Sequence, residues 1–106
     1  MTRIVTGTRT EFSIDPAILE LLPAQGSVEL QRDSAGKVHH FHTHPVDEIL
    51  VIISGRLNFT WEGGEQVCRA GDTIILPAGT LHQSEALDDA IYAIATSPPA
   101  TGPASN

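Results

Sequence analysis

The chain has 106 residues, enough for one hydrophobic core and too few for two, so fold and function share a single domain. Apolar residues make up 41% and charged residues 18%, a composition that folds rather than stays disordered. Thirteen acidic residues against six basic ones give a formal net charge of -7, and no run of Lys or Arg could track a phosphate backbone, so no nucleic-acid partner is expected. The longest unbroken apolar run, residues 49–53, is far short of the roughly 20 residues of a membrane helix, and residues 1–12 lack a signal-peptide core. No membrane partner and a cytoplasmic location are therefore expected. The single cysteine, Cys68, has no internal disulfide partner and reads as a strand residue.

In chain order, residues 11–14, 28–33, 38–44, 48–54, 57–61, 66–70, 73–76, 82–85 and 91–96 read as strands. Each is rich in Val, Ile, Leu, Thr or Phe and alternates with period two between Gly and Pro breaks. One segment, residues 15–22, is helical in pattern: Asp15 can cap it, Pro16 fits its first position, and Pro23 stops it. Ser34-Ala35-Gly36 and Trp61-Glu62-Gly63-Gly64-Glu65 supply turn residues for two antiparallel hairpins. The last stretch, 97–106, holds three prolines and little apolar surface and is expected to be a flexible tail, leaving 1–96 as the domain. The fold class is all-β, a sandwich or a closed jelly-roll barrel of short antiparallel strands with at most one short helix near the start.

His42 and His44 stand two residues apart on a strand, and period two sends both imidazoles to one face. Glu48 follows the Pro45-Val46-Asp47 break and can begin the next antiparallel strand, returning a carboxylate to their level. His82 lies just past the Pro77-Ala78-Gly79 turn and can approach from the other side of a barrel. A lone histidine is by default a surface or hydrogen-bonded residue, but four N and O donors that converge could hold one ion. A set of three imidazoles and a carboxylate without thiolate favours a divalent transition metal (Fe, Mn, Ni, Co, Cu or Zn) over Mg or Ca. Four protein ligands on an ion that accepts six leave positions for water, dioxygen or an oxygen-donor substrate.

The full spacing runs Gly36, five residues, His42, one residue, His44, three residues, Glu48, six residues, Gly55. Fifteen residues later a second block runs Gly71, five residues, Pro77, one residue, Gly79, two residues, His82. These blocks resemble the paired motifs of the cupin superfamily, in particular its small single-domain bacterial members. The resemblance implies a jelly-roll barrel (double-stranded β-helix), usually dimeric, with His42, His44, Glu48 and His82 as metal ligands. One departure stands in the second block: Ala86 occupies the place, four positions after the histidine, where the family commonly has Asn.

Strand parity places His40 on the face of His42 and His44, as a substrate contact, a proton shuttle or a partly solvated strand residue, and His39 on the opposite face. Leu50 and Ile52 follow Glu48 inward, and Ser84 and Ala86 follow His82, giving a mostly apolar pocket. Leu57, Phe59 and Trp61 read as core, and Tyr92 either offers its hydroxyl to the cavity or packs at its rim. Two functions fit. One is an enzyme acting on a small oxygenated organic molecule by dioxygenase-, isomerase-, cyclase- or lyase-like chemistry, with Glu48 as ligand or general base. The other is a barrel that binds or senses a small ligand or a metal without turnover. Ile49, Val51 and Ile53 alternate outward and need cover, so a homodimer is expected, with residues 1–14 of one chain extending the partner's sheet.

Overall fold

The computed structural model describes residues 1–9 and 11–97, and within them the period-two runs form β1 (Glu29–Asp33), β2 (Val38–His42), β3 (Asp47–Ser54), β4 (Arg56–Trp61), β5 (Gly64–Arg69), β6 (Thr73–Leu76), β7 (His82–Ala86) and β8 (Ala90–Ser97). They build two four-stranded antiparallel sheets, ordered β1-β8-β3-β6 and β2-β7-β4-β5. Of the links between consecutive strands only β4 to β5 stays within one sheet; every other crosses to the opposite sheet. That connectivity makes the molecule a jelly-roll barrel. The expected tail falls largely on residues 98–106, which lie outside the described residues, while Ser97 is the last residue of β8.

The inward faces are the apolar members of each alternation. Leu50 and Ile52 of β3, Leu57 and Phe59 of β4, Cys68, Leu76, Ala86 and Tyr92 form one core cluster, with Ile52 1% and Leu57 0% exposed. Each buried side chain of this size contributes about 1.5–3 kcal/mol of burial. Trp61 packs at the edge of this cluster, so the Leu57-Phe59-Trp61 alternation is core as expected.

The β4–β5 turn is the expected hairpin, closed by the Trp61–Gly64 pair. The Ser34-Ala35-Gly36 turn is not one. It carries the chain from β1 in one sheet to β2 in the other, and its backbone bonds run to the far side: Gly36 N–H to Ala86 O at 2.7 Å and Ala35 N–H to Asp89 Oδ1 at 2.9 Å. Turn chemistry dictates that the chain bends, not which sheet receives it. Nor do residues 11–14 form a strand: the segment has no ladder partner among the described residues, and Ile4 and Phe12 stand 88% and 87% exposed. The helix α1 (Pro16–Leu21) forms as read, with Asp15 Oδ1 accepting from Ala17 N–H at 2.8 Å, but it buries no residue.

Gly55 joins β3 to β4 at φ 78°, where an added Cβ would lie 2.2 Å from the Asp89 carbonyl oxygen. Gly36, at φ 91°, has nothing within 4 Å of that position. Gly36→Ala should therefore cost only the left-handed strain of about 1–2 kcal/mol, and Gly55→Ala clearly more, because backbone must also move. Urea midpoints of the two variants check this; equal losses would contradict the close packing of the β3–β4 corner on the β7–β8 turn.

Candidate metal centre

Strand pairing decides which histidines meet. His42 is the ladder partner of His82, and His82 in turn pairs with Trp61, so His82 sits mid-sheet between β2 and β4. Along β2 the register steps from His39 opposite Ser84 to His42 opposite His82, three residues against two. This is a β-bulge, and the extra residue shifts the alternation by one. His39 and His42 therefore share the inner face, while His40 and Phe41 are exposed. The parity expectation is corrected on this point: His40, read as a possible shuttle, lies on the solvent side, and His39, read as facing away, lines the cavity. The strand also ends at His42, so His44 stands on the crossover to β3 rather than within β2.

The three imidazoles of His42, His44 and His82 converge, with one ligand atom from each lying within 4.8 Å of the others. His42 Nε2 and His44 Nε2 are 2.9 Å apart, and the ring centroids are separated by 4.6, 4.4 and 5.1 Å. The backbone aims them. His42 Nδ1 donates to the His40 carbonyl, which the bulge turns toward it, and His82 Nδ1 donates to the Thr80 carbonyl at 2.8 Å. With Nδ1 protonated on both, the Nε2 lone pairs face the centre, the second-shell arrangement that orients imidazole ligands. His44 Nε2 then carries the proton shared with His42 Nε2, the position an ion would take over.

The loop before His82 is pinned to the same site. Ala78 N–H donates to Asp47 Oδ1 at 2.7 Å, Gly79 N–H to the His44 carbonyl at 2.8 Å, and Leu81 N–H to Glu62 Oε1 at 3.1 Å. The Phe59 ring stacks on His82 with centroids 5.6 Å apart and planes at 18°. Burial beside this ring pushes the His82 pKa down, partly opposed by its bond to Thr80, so the imidazole is neutral at neutral pH, the form that ligates. Three imidazoles, two of them held by backbone carbonyls with Nε2 turned inward, fit a divalent transition ion.

Glu48, on β3 of the opposite sheet, approaches this group at His44, 3.8 Å from its Nε2. It belongs to the same cavity, about 210 Å³, whose wall also includes Gln31, His39, Ser84 and Tyr92 beside Leu50 and Phe59. Two larger hollows, about 430 and 560 Å³, adjoin it at Glu48 and Phe59, but neither carries a histidine.

Asp33 was not singled out by any spacing. It is 4% exposed, accepts from the Tyr92 hydroxyl at 2.7 Å and from Gln31 Nε2 at 3.2 Å, and lies 2.9 Å from His39 Nε2. Burial pushes its carboxyl up, but the hydrogen bonds from Tyr92, Gln31 and His39 outweigh this and leave the pKa below the ordinary value. Tyr92, desolvated and facing this carboxylate, has its own pKa raised far above the usual phenol. The only sequence signal was an acidic residue at the buried end of an alternating strand.

A carboxyl with a lowered pKa stabilises the fold above its unfolded value of about 3.9, and the contribution is lost as pH falls through the folded value. Tyr92→Phe removes a buried donor to this charge and should cost about 2 kcal/mol at neutral pH. The gap to wild type should narrow below about pH 4, as the carboxyl takes up a proton. Denaturation midpoints from pH 3 to 7 check this, and a gap that persists undiminished at the acid end would contradict it.

The Cupin domain family model matches residues 28–96. Similar solved structures include a conserved protein of unknown function from Streptococcus pyogenes, with TM-score 0.64, 23% identity, and coverage of 70% of this chain and 65% of that one. A cupin-2 domain containing protein from Shewanella frigidimarina follows with TM-score 0.58, 21% identity, and coverage of 67% and 68%. The DMSP lyase DddQ from Ruegeria pomeroyi is similar with TM-score 0.57 and 29% identity, covering 63% of this chain and 34% of that one. The chain thus spans just under two thirds of the first of these proteins and about a third of the lyase. No curated protein matches the chain. With the family match running from the first strand to the last and the crossing strand order to carry it, the chain belongs to the cupin family.

Proposed function

We propose that this cupin binds one divalent transition-metal ion through His42, His44 and His82, with Glu48 as fourth ligand, and acts there on a small oxygenated organic molecule. The observation that carries the reading is the convergence of three imidazoles, two of them fixed by backbone carbonyls to present Nε2 inward. Such an ion, when bound, supplies Lewis acidity toward an oxygen donor or a site for dioxygen. The chain's own groups do the rest. Leu50, Phe59 and Ile94 line the wall with apolar surface that excludes water, and Glu48, 3.8 Å from His44, stands where it can ligate or, when a ligand arrives, take a proton. Gln31 and Ser84 give the cavity polar groups for orienting a small molecule.

Dioxygenase, isomerase, cyclase and lyase chemistry all remain compatible with this site, since one scaffold hosts many reactions. The likeness to a DMSP lyase supports keeping elimination among them. A non-catalytic barrel that senses a ligand or metal is the second reading, favoured by the small volume of about 210 Å³. Exposed Ile4, Phe12 and Ile14 near the start, with Ile49 and Ile75 on the outer face of a sheet, support a homodimer in which residues 1–14 pair with an edge of the partner's sheet. Light scattering should give twice the chain mass, and a clean monomer would refute the pairing.

Elemental analysis after purification should find about one transition-metal ion per wild-type chain and a loss of most of it in the His42→Ala plus His82→Ala variant, with both folded by circular dichroism. Equal metal in the two would remove the proposal. Oxygen uptake by the Fe(II)-loaded chain against dicarbonyls, thiols and flavonols then separates the reactions: consumption that is lost in His44→Ala supports a dioxygenase, and none turns the reading to isomerase, lyase or binding roles.

A further inference from the structure

Beside the imidazole cluster the cavity wall holds a second group of titratable side chains that metal binding leaves unused. Asp33 of β1 collects the Tyr92 hydroxyl from β8 and the Gln31 amide from its own strand, and His39 Nε2 of β2 lies 2.9 Å from its Oδ2. Accepting from Tyr92 and Gln31 on its two oxygens favours the ionised form of Asp33, and an ionised carboxylate only accepts. His39 must then carry its proton on Nε2, because two lone pairs facing each other at 2.9 Å would repel. In the neutral ring Nδ1 is then the lone-pair nitrogen, and it has no hydrogen-bond partner among the described residues. The ring is 30% exposed and lines the same cavity as His42, His44, His82 and Glu48.

We infer that Asp33 holds His39 so that its Nδ1 accepts a hydroxyl or enol proton from a small oxygenated ligand whose other oxygen is anchored at the three-histidine centre. The inference rests on the metal reading above for that second anchor. Asp33 and Tyr92 are positioning residues: the Tyr92 hydroxyl is committed to Asp33 and fixes the carboxylate rather than touching the ligand. The bulge in β2 is what makes this possible, since without it His39 and His42 would face opposite sides of the sheet.

Two measurements test it on the full chain. Long-range nitrogen-proton spectra of the metal-free protein, with His39 assigned by its absence from H39Q, should show the Nε2-protonated tautomer in wild type and a mixture of tautomers in D33N. An Nδ1-protonated ring in wild type, or an unchanged ring in D33N, overturns the inference. In the Ni(II)-loaded chain, glycolate should bind about tenfold tighter than methoxyacetate, which lacks the hydroxyl proton. That preference should fall to near one in H39F, fall in D33N, and partly return in H39Q, whose amide can both donate to Asp33 and accept from the ligand. Nickel affinity should stay unchanged throughout. A preference that survives in H39F, or in D33N should H39F fail to fold, overturns the inference. Wild type that binds no nickel would instead contradict the metal reading, and the tautomer spectra then decide the role of Asp33 on their own.

Discussion

In a regular ladder, residues three apart on one strand point to opposite faces of the sheet, and His39 and His42 share a face only because β2 carries one extra residue against Ser84 and His82. The same irregularity turns the His40 carbonyl toward His42 Nδ1 and so fixes the tautomer of a ring that faces the centre. It also sends His40 and Phe41 outward. A straight β2 would leave the cavity short of either His42 or His39: the imidazole cluster would lose one ring, or Asp33 would lose the partner that ties it to the other sheet. Local backbone geometry thus sets what chemistry the barrel interior can do.

The barrel supplies the remaining constraint. His42 and His82 are neighbours across one sheet, Glu48 comes from the other, and His44 stands on the crossover between them. The turn before His82 is held by hydrogen bonds to Asp47, to the His44 carbonyl and to Glu62, so three separate stretches are locked at one end of the sandwich. Bonds of this kind are individually modest, about 1 kcal/mol each, but they fix position rather than merely add stability. The Asp33 network repeats the pattern on the neighbouring wall, joining β1, β2 and β8 through one buried carboxylate.

Spacing alone carried the three histidines: two of them at period two, a third just past a Pro-Gly turn, and glycines at the corners. Alternation carried the core, where Leu50, Ile52, Leu57 and Phe59 point inward as their periodicity requires. What sequence could not convey is long-range partnership. Ser34-Ala35-Gly36 looks the same whether the chain folds back in one sheet or crosses to another, and residues 11–14 alternate without a strand among the described residues to receive them. The bulge leaves no residue signature in Val38-His39-His40-Phe41-His42, so parity misassigned His39 and His40. Tyr92 and Asp33 are 59 positions apart, and only the pairing of β1 with β8 brings them together.

The most direct measurement is anomalous diffraction from crystals of the wild-type chain grown with Zn(II). A single strong peak is expected inside the barrel, about 2.0–2.1 Å from Nε2 of His42, His44 and His82, with Nδ1 of His42 and His82 still on their backbone carbonyls. Zinc found only at the surface, or bound within the barrel through Nδ1, would contradict it.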